Sequence, residues 1–238
     1  MNSEIPVVIL CGGLGTRLSE ETQTKPKTMV EIGNKPIIYH LIKIFESYGF
    51  KSFFLAAGYK KEILIEYFQK EKFNLKIKVV DTGDDSMTGG RVLRLKNYLQ
   101  DYKEFILTYG DGLSDINLNQ LLKFHYQHNK IVTITAVHPP ARFGELEIDN
   151  KSNVLKFEEK PQVKTGWING GFFVLNKKIF NYIDNDKTIF EREPIEKLVK
   201  ANQISAFKHE GFWKCMDTLR DKNFLNDMWN NGNVPWKK

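Results

Sequence analysis

Cysteine is scarce in this sequence: Cys11 and Cys215 are the only two in 238 residues. Two cannot build a disulfide scaffold or a Cys-only zinc site, and they point to a reducing compartment. Long apolar runs are also missing. The longest near the N-terminus is Val7–Cys11, too short for a spanning helix or for the core of a signal peptide. The chain is therefore expected to be soluble and cytoplasmic, with no membrane partner. Charge of one sign is nowhere concentrated. The net charge of +6 comes from 35 Lys and Arg against 29 Asp and Glu, and the adjacent basic pairs are Lys60-Lys61, Lys177-Lys178 and Lys237-Lys238. Small polyanionic ligands suit this balance. A nucleic-acid partner does not, because no basic tract is interleaved with aromatics. The glycines and prolines follow no period and no internal repeat is visible, which excludes low-complexity and collagen-like chains. Aromatics make up 13% of the chain, which argues against disorder, and the length suffices for a buried core without staples.

Hydrophobic periodicity alternates between two and 3.6 along the first half. Val7–Cys11 reads as a buried strand ending at Gly12-Gly13. Pro36 opens a helical stretch with Ile37, Ile38, Leu41, Ile42 and Phe45 on one face, and Gly49 stops it. Strands are predicted at Ser52–Ala57, Leu75–Val80, Phe105–Thr108 and Ile131–Val137. Helices are predicted at Glu62–Gln69, Arg91–Leu99 and from Asn117 onward, where Gln120 stands three residues after a capping side chain. This alternation predicts an α/β, Rossmann-like, mostly parallel sheet with helices on both faces. After Pro139-Pro140 come shorter strands (Gly144–Asp149, Val154–Glu159, Gly170–Leu175) and helices at Lys178–Tyr182, Arg192–Ala201 and Leu219–Trp229. The expectation is one domain, with a core over about 1–137 and a smaller α+β lobe over about 138–238. Ligands of such sheets bind at the carboxyl ends of the strands, which is where the glycine turn and Asp111 fall.

The segment richest in chemistry is Leu10-Cys11-Gly12-Gly13-Leu14-Gly15-Thr16-Arg17, followed by Lys25-Pro26-Lys27. Glycines let backbone N–H groups close on phosphate oxygens. An arginine can fork onto two such oxygens, and a lysine adds a point charge. No Gly-Lys-Ser/Thr ends the turn, so it is not a P-loop, and the GGxG spacing differs from the dinucleotide fingerprint. Read alone, each polar residue has a plainer alternative. Asp111 between two glycines suits a turn, Asp217 suits a helix N-cap, Lys160 a solvated strand end, and Asp84-Asp85 a solvated loop. The five histidines show no ligand spacing. Trp167, Phe172, Phe173 and Trp213 suit either a sugar-stacking wall or ordinary packing, and Cys11 a buried apolar role.

The stretch from Gly12 to Ile38 resembles the opening of the sugar-phosphate nucleotidyltransferases, the NDP-sugar pyrophosphorylases. Thr82–Arg91, Thr108–Gly112, Gly166–Gly171 and Met216–Asp221 narrow the likeness to the glucose-1-phosphate cytidylyltransferases, over nearly the whole chain. The resemblance implies the nucleotide-diphospho-sugar transferase type of fold with a sugar-binding lobe and metal-ligand return. The implied substrates are CTP and a sugar 1-phosphate, α-D-glucose 1-phosphate first, with Mg²⁺ as cofactor and a homo-oligomeric assembly. It implies that Leu10, Gly12, Gly13, Gly15, Thr16, Arg17, Lys27, Ser86, Arg91 and Gly110 surround the nucleotide. Gly144, Glu159, Lys160, Asn169 and Gly170 would hold the sugar phosphate, and Asp111 and Asp217 the metal. Arg17, Lys27, Asp111 and Lys160 would carry catalysis. The chemistry asks for these types: two anions are brought together, so positioning and charge neutralisation dominate and no protein nucleophile is needed.

Departures from that pattern bear on the substrates. Only twelve residues separate Phe68 from Asp81, where these enzymes usually carry a longer insertion. Ala141 replaces a usual Gly, Ser86 a usual Thr, and Cys215 a common Pro. UTP or dTTP, or another phosphorylated sugar or alcohol, are the nearest alternatives. A glycosyltransferase of the GT-A type shares this sheet but would show Asp-X-Asp where Asp111-Gly112-Leu113 stands. A catalytically silent nucleotide sensor would not need every charged position kept.

Overall fold

The computed structural model describes residues 2–71, 73–139, 145–150, 152–158 and 166–237. Strand β1 (Val7–Leu10) is buried along its whole length. After the glycine loop come α1 (Ser19–Thr22) and a small hairpin, β2 (Glu31–Ile32) with β3 (Lys35–Pro36). Helix α2 (Ile37–Ser47) starts behind Pro36 and buries the five apolar residues whose spacing predicted it. β4 (Ser52–Ala57), α3 (Lys61–Lys70), β5 (Lys76–Asp81), α4 (Thr88–Arg94), α5 (Lys96–Leu99) and β6 (Glu104–Tyr109) come next along the chain. They lead into β7 (Gly112–Ser114), α6 (Leu118–His128) and β8 (Val132–Val137). Asn117 caps α6 by accepting from the Gln120 N–H at 3.1 Å. The second half adds β9 (Glu145–Ile148), β10 (Val154–Glu158), β11 (Ile168–Asn169), β12 (Phe173–Asn176), α7 (Glu193–Lys200), β13 (Ile204–His209), β14 (Trp213–Cys215) and α8 (Leu219–Asn230).

The main sheet runs β5-β4-β1-β6-β12-β8, with β13 on the far flank of β8 and β11 beside the end of β8. β5, β4, β1 and β6 are mutually parallel. The chain leaves β1 in one direction, through β4 and β5, and returns on its other side as β6. That reversal opens a crevice at the carboxyl ends of β1 and β6, the usual ligand site of such sheets. Alternate side chains of β1 enter different cores. Val7 and Ile9 join α2, α3, α6 and α8 on one face, and Val8 and Leu10 join α4, α5 and α7 on the other.

Three expectations need adjustment. First, a boundary near residue 137 does not divide the sheet. β12 inserts antiparallel between β6 and β8, and β13 pairs with β8, so the later strands complete the earlier sheet; among the described residues β9 and β10 pair only with each other. Second, the strand expected over Gly170–Leu175 starts at Phe173. Gly171 and Phe172 hold left-handed backbone (φ 74° and 45°), which breaks the strand and drives the Phe172 ring into the core beside Phe45. Third, Lys177–Tyr182 is a 3₁₀ helix, and the helix expected over Arg91–Leu99 begins at Thr88 and breaks at Leu95. No helix among the described residues is long and apolar enough to cross a membrane.

Candidate active site

β1 and β6 are paired so that Leu10 lies opposite Tyr109, and the loops leaving the two strands are therefore side by side. After β1 the chain turns at Gly15 (φ 65°) into a short 3₁₀ turn, Thr16–Leu18. A Cβ at Gly15 would stand 2.8 Å from Thr22 Cγ2, and one at Gly12 would stand 2.1 Å from Arg91 Nη1. Arg91 explains the second restriction. Its guanidinium is buried and donates to Gly12 O at 2.9 Å, Thr82 Oγ1 at 2.8 Å, Gly83 O at 2.7 Å and Asp84 O at 3.1 Å. It fastens the glycine loop to the segment after β5, and its two terminal nitrogens are committed to that task. Burial lowers its pKa from the usual arginine value.

After β6, Asp111 meets Asp217. The antiparallel pair β7–β14 brings Gly112 opposite Cys215, and the Met216 N–H donates to Asp111 O at 2.9 Å. Asp217 is therefore not the cap of α8. That cap is Thr218, whose hydroxyl accepts from the Asp221 N–H while Asp221 accepts from the Thr218 and Asp217 N–H groups at 2.9 and 3.1 Å. The arrangement leaves the Asp217 carboxylate free to face the crevice. Lys27 Nζ stands between the two carboxylates, bonded to Asp111 Oδ2 and to Asp217 Oδ1 (2.6 Å). Arg17 Nη2 reaches Asp217 Oδ1 at 3.0 Å with a side chain 72% exposed, so this ion pair lies open to solvent at the crevice. Burial pulls the Lys27 pKa down, but Asp111 and Asp217 more than offset this and hold it above the usual lysine range.

Two carboxylates converge here, and no cluster of three or more His, Cys, Asp or Glu among the described residues could enclose a metal. An incomplete all-oxygen set of this kind fits Mg²⁺, which keeps waters and takes substrate oxygens for its remaining positions. Cys215, 3.6 Å from Asp217 Oδ2, has its thiol pushed up to about 12 by burial first and then by Asp217. Burial also pushes Cys11 far above the usual thiol range. Neither is an activated nucleophile.

Two cavities open on this centre. The first, about 410 Å³, is lined by every residue expected around the nucleotide, from Leu10 to Gly110. The second, about 270 Å³, is lined by Asn169, Gly170, Trp213 and Asp217 among others. Both share Arg17, Tyr109 and Asp111. Gly144, Glu159 and Lys160 lie outside the described residues, as does Ala141. Of the aromatics, Phe172 and Phe173 are core. Trp213 lines the second cavity with Nε1 donating to Gly170 O at 2.8 Å, and Trp167 stacks on His138 with ring centroids 3.9 Å apart. Asp84 and Asp85 are exposed.

Sequence reasoning did not single out Tyr109, Asp186 or Glu191. Tyr109 donates to Glu191 Oε1 at 2.6 Å and accepts from Asn169 Nδ2 at 3.1 Å. Burial and then Glu191 push its phenol well above the usual tyrosine value, so it keeps its proton. Asp186 accepts from the Ser86 hydroxyl. Two acids in a polar loop carry no signal until the fold brings that loop to the cavity wall.

A switch-point crevice with a glycine loop, clustered cations and a carboxylate pair defines an enzyme that handles phosphorylated nucleotides. Residues 6–221 match the family described as nucleotidyl transferase, and the chain belongs to that family. It is 45% identical to the glucose-1-phosphate cytidylyltransferase of Salmonella typhimurium, over 97% of this chain and 98% of the relative. That alignment spans 252 positions, more than the 238 residues of this chain, so the relative has residues that this one lacks. A mannose-1-phosphate guanyltransferase of Aspergillus oryzae is 31% identical over 92% of this chain and 62% of its own. Among solved structures, HddC from Yersinia pseudotuberculosis complexed with GMP-PN superposes with a TM-score of 0.76 at 27% identity, covering 94% of this chain and 99% of that one.

Proposed function

We propose that the protein makes a CDP-sugar and pyrophosphate from CTP and a sugar 1-phosphate, α-D-glucose 1-phosphate first, with Mg²⁺. The observation that carries this reading is the meeting of two cavities at Arg17, Asp111 and the Lys27–Asp217 contact. One cavity has the glycine loop a triphosphate needs, and the other opens on the same charges from the side a second anion would use. The relative from Salmonella supports the choice of nucleotide and sugar.

The reaction needs no protein nucleophile. An oxygen of the sugar phosphate attacks the α-phosphorus, the new P–O bond forms, and the bond to the β-phosphate oxygen breaks with pyrophosphate leaving. The protein brings the two anions together and neutralises their charge. The N–H groups of the loop after β1 and the Arg17 guanidinium hold the triphosphate. Lys27, now held by two carboxylates, is within reach of the same phosphates and offers them its charge as they arrive. Asp111 and Asp217 would hold Mg²⁺, which when bound supplies further charge to the phosphate oxygens.

The test is pyrophosphate release with Mg²⁺ from CTP, UTP, dTTP, GTP and ATP, each with and without glucose 1-phosphate. Release with CTP that depends on glucose 1-phosphate is expected. Release from another nucleotide in preference to CTP, or release indifferent to the sugar phosphate, overturns the assignment.

A further inference from the structure

Five residues lining the nucleotide cavity carry hydroxyls, and three of them, Ser86, Thr88 and Tyr109, give their proton to carboxylates of one loop. Ser86 Oγ lies 2.9 and 2.8 Å from the two oxygens of Asp186. Thr88 Oγ1 donates to Glu191 Oε2 at 2.6 Å, and Tyr109 donates to Glu191 Oε1. A hydroxyl has one proton and an ionised carboxylate has none, so the direction of each bond is settled. Toward anything else these hydroxyls can only accept. Thr88 already accepts from the Phe190 N–H at 2.9 Å and Tyr109 from Asn169. Ser86 has no such donor among the described residues.

Asp186 is itself held. Arg94 forks onto it, Nε to Oδ1 at 2.6 Å and Nη2 to Oδ2 at 3.0 Å, and this pairing keeps the Asp186 carboxyl below its usual range. The backbone adds register. The Met87 N–H donates to Asp186 O at 3.0 Å and the Gly89 N–H to Thr188 O at 2.9 Å. A Cβ at Gly90 would stand 2.0 Å from Asp186 O, so the two segments are in close contact.

Resting on the nucleotidyl transfer proposed above, we infer that Asp186, oriented by Arg94, sets base preference by fixing Ser86 as a hydrogen-bond acceptor toward the nucleotide. Cytosine presents an amino donor at the ring position where uracil and thymine present a keto acceptor. An acceptor-only hydroxyl is complementary to the first and leaves the second unpaired, and a polar group left unpaired on binding costs affinity. Asp186 touches no substrate in this scheme. It is a positioning residue acting through Ser86.

The experiment compares kcat/KM for CTP and UTP, with glucose 1-phosphate and Mg²⁺, in the wild type, Asp186→Asn, Asp186→Glu and Ser86→Ala, alongside equilibrium binding of both nucleotides. An amide can donate as well as accept, so Asp186→Asn releases the Ser86 proton. The CTP-to-UTP ratio is expected to fall about tenfold, the scale of one mispaired hydrogen bond, chiefly through KM and nucleotide affinity. Asp186→Glu keeps the ratio. Ser86→Ala lowers the CTP value about tenfold and leaves UTP within about twofold. An Asp186→Asn enzyme whose CTP and UTP values fall together, with the ratio unchanged, shows a merely structural role and overturns the inference while the proposed function stands. A wild type that uses neither nucleotide, or prefers UTP, overturns both. Should Asp186→Asn fail to fold, equal losses for CTP and UTP in Ser86→Ala overturn the inference on their own.

Discussion

Lys27 touches both Asp111 and Asp217, and the three residues cannot be changed independently. Removing the lysine leaves two partly buried carboxylates facing one another, whereas Asp111→Asn removes one charge and keeps the shape. Asp111→Asn is expected to lower kcat at least about 100-fold, the scale of losing one preorganised electrostatic group. Its thermal midpoint should stay within a few degrees of the wild type. Lys27→Ala should lose turnover to a similar degree while remaining folded, with a larger drop in midpoint. Pyrophosphate release and thermal unfolding followed together check both, and near-normal turnover in either variant counts against the assignment. At this scale much of the site was legible. Gly12, Gly15, Arg17 and Lys27 stand in one short stretch, and the structure gathers all four around one cavity. Arg91, expected from the resemblance to border the nucleotide, lines the cavity, but its bonds to the glycine loop were not legible, because the carbonyls it gathers come from separate stretches of chain that only the fold brings together.

Among the elements, α8 has the clearest dependence on a few side chains. Its capping box joins Thr218 and Asp221, and Asp221 also accepts from the Asp217 N–H and pairs with Lys214. Thr218→Ala is expected to cost about 1 kcal/mol, a fall of roughly 2–4 °C in a chain of this length, measurable by thermal unfolding. Burial would raise the Asp221 pKa, but its bonds to Lys214 and Thr218 outweigh that and the folded value lies below the unfolded one. A carboxylate of this kind stabilises the fold above its unfolded pKa, and the contribution is lost as pH falls through the folded value. The stability deficit of Asp221→Asn should therefore be larger near about pH 6 than near about pH 3.5 in urea unfolding; a deficit that grows on acidification contradicts the pairing. The sequence placed α8 closely, over Leu219–Trp229 against the observed Leu219–Asn230. Read alone, Asp217 offered a cap as its plainer alternative to facing the site; the cap is Thr218, whose hydroxyl accepts from the Asp221 N–H.

Across the whole molecule the decisive feature is β12, which lies antiparallel between β6 and β8. Phe173 on this strand is fully buried and meets Phe190 and Tyr109 edge-on, with centroids 5.5 and 6.0 Å apart. Residues before 137 and after 166 thus share one sheet and one pair of cores. Phe173→Ala should cost about 3–5 kcal/mol, and near-UV and far-UV circular dichroism should still report a single coincident transition at a lower temperature. Two separated transitions would mean that the later strands form an independent unit. Strand and helix types, the glycine loop and the charged residues around it could be read from local composition and periodicity, because neighbours along the chain determine backbone preference and patterning. The order of strands, the meeting of Asp111 with Asp217 and the fixed proton on Ser86 depend on partners far apart in the chain. Their contacts come from sheet register and burial, which no short stretch of residues encodes alone.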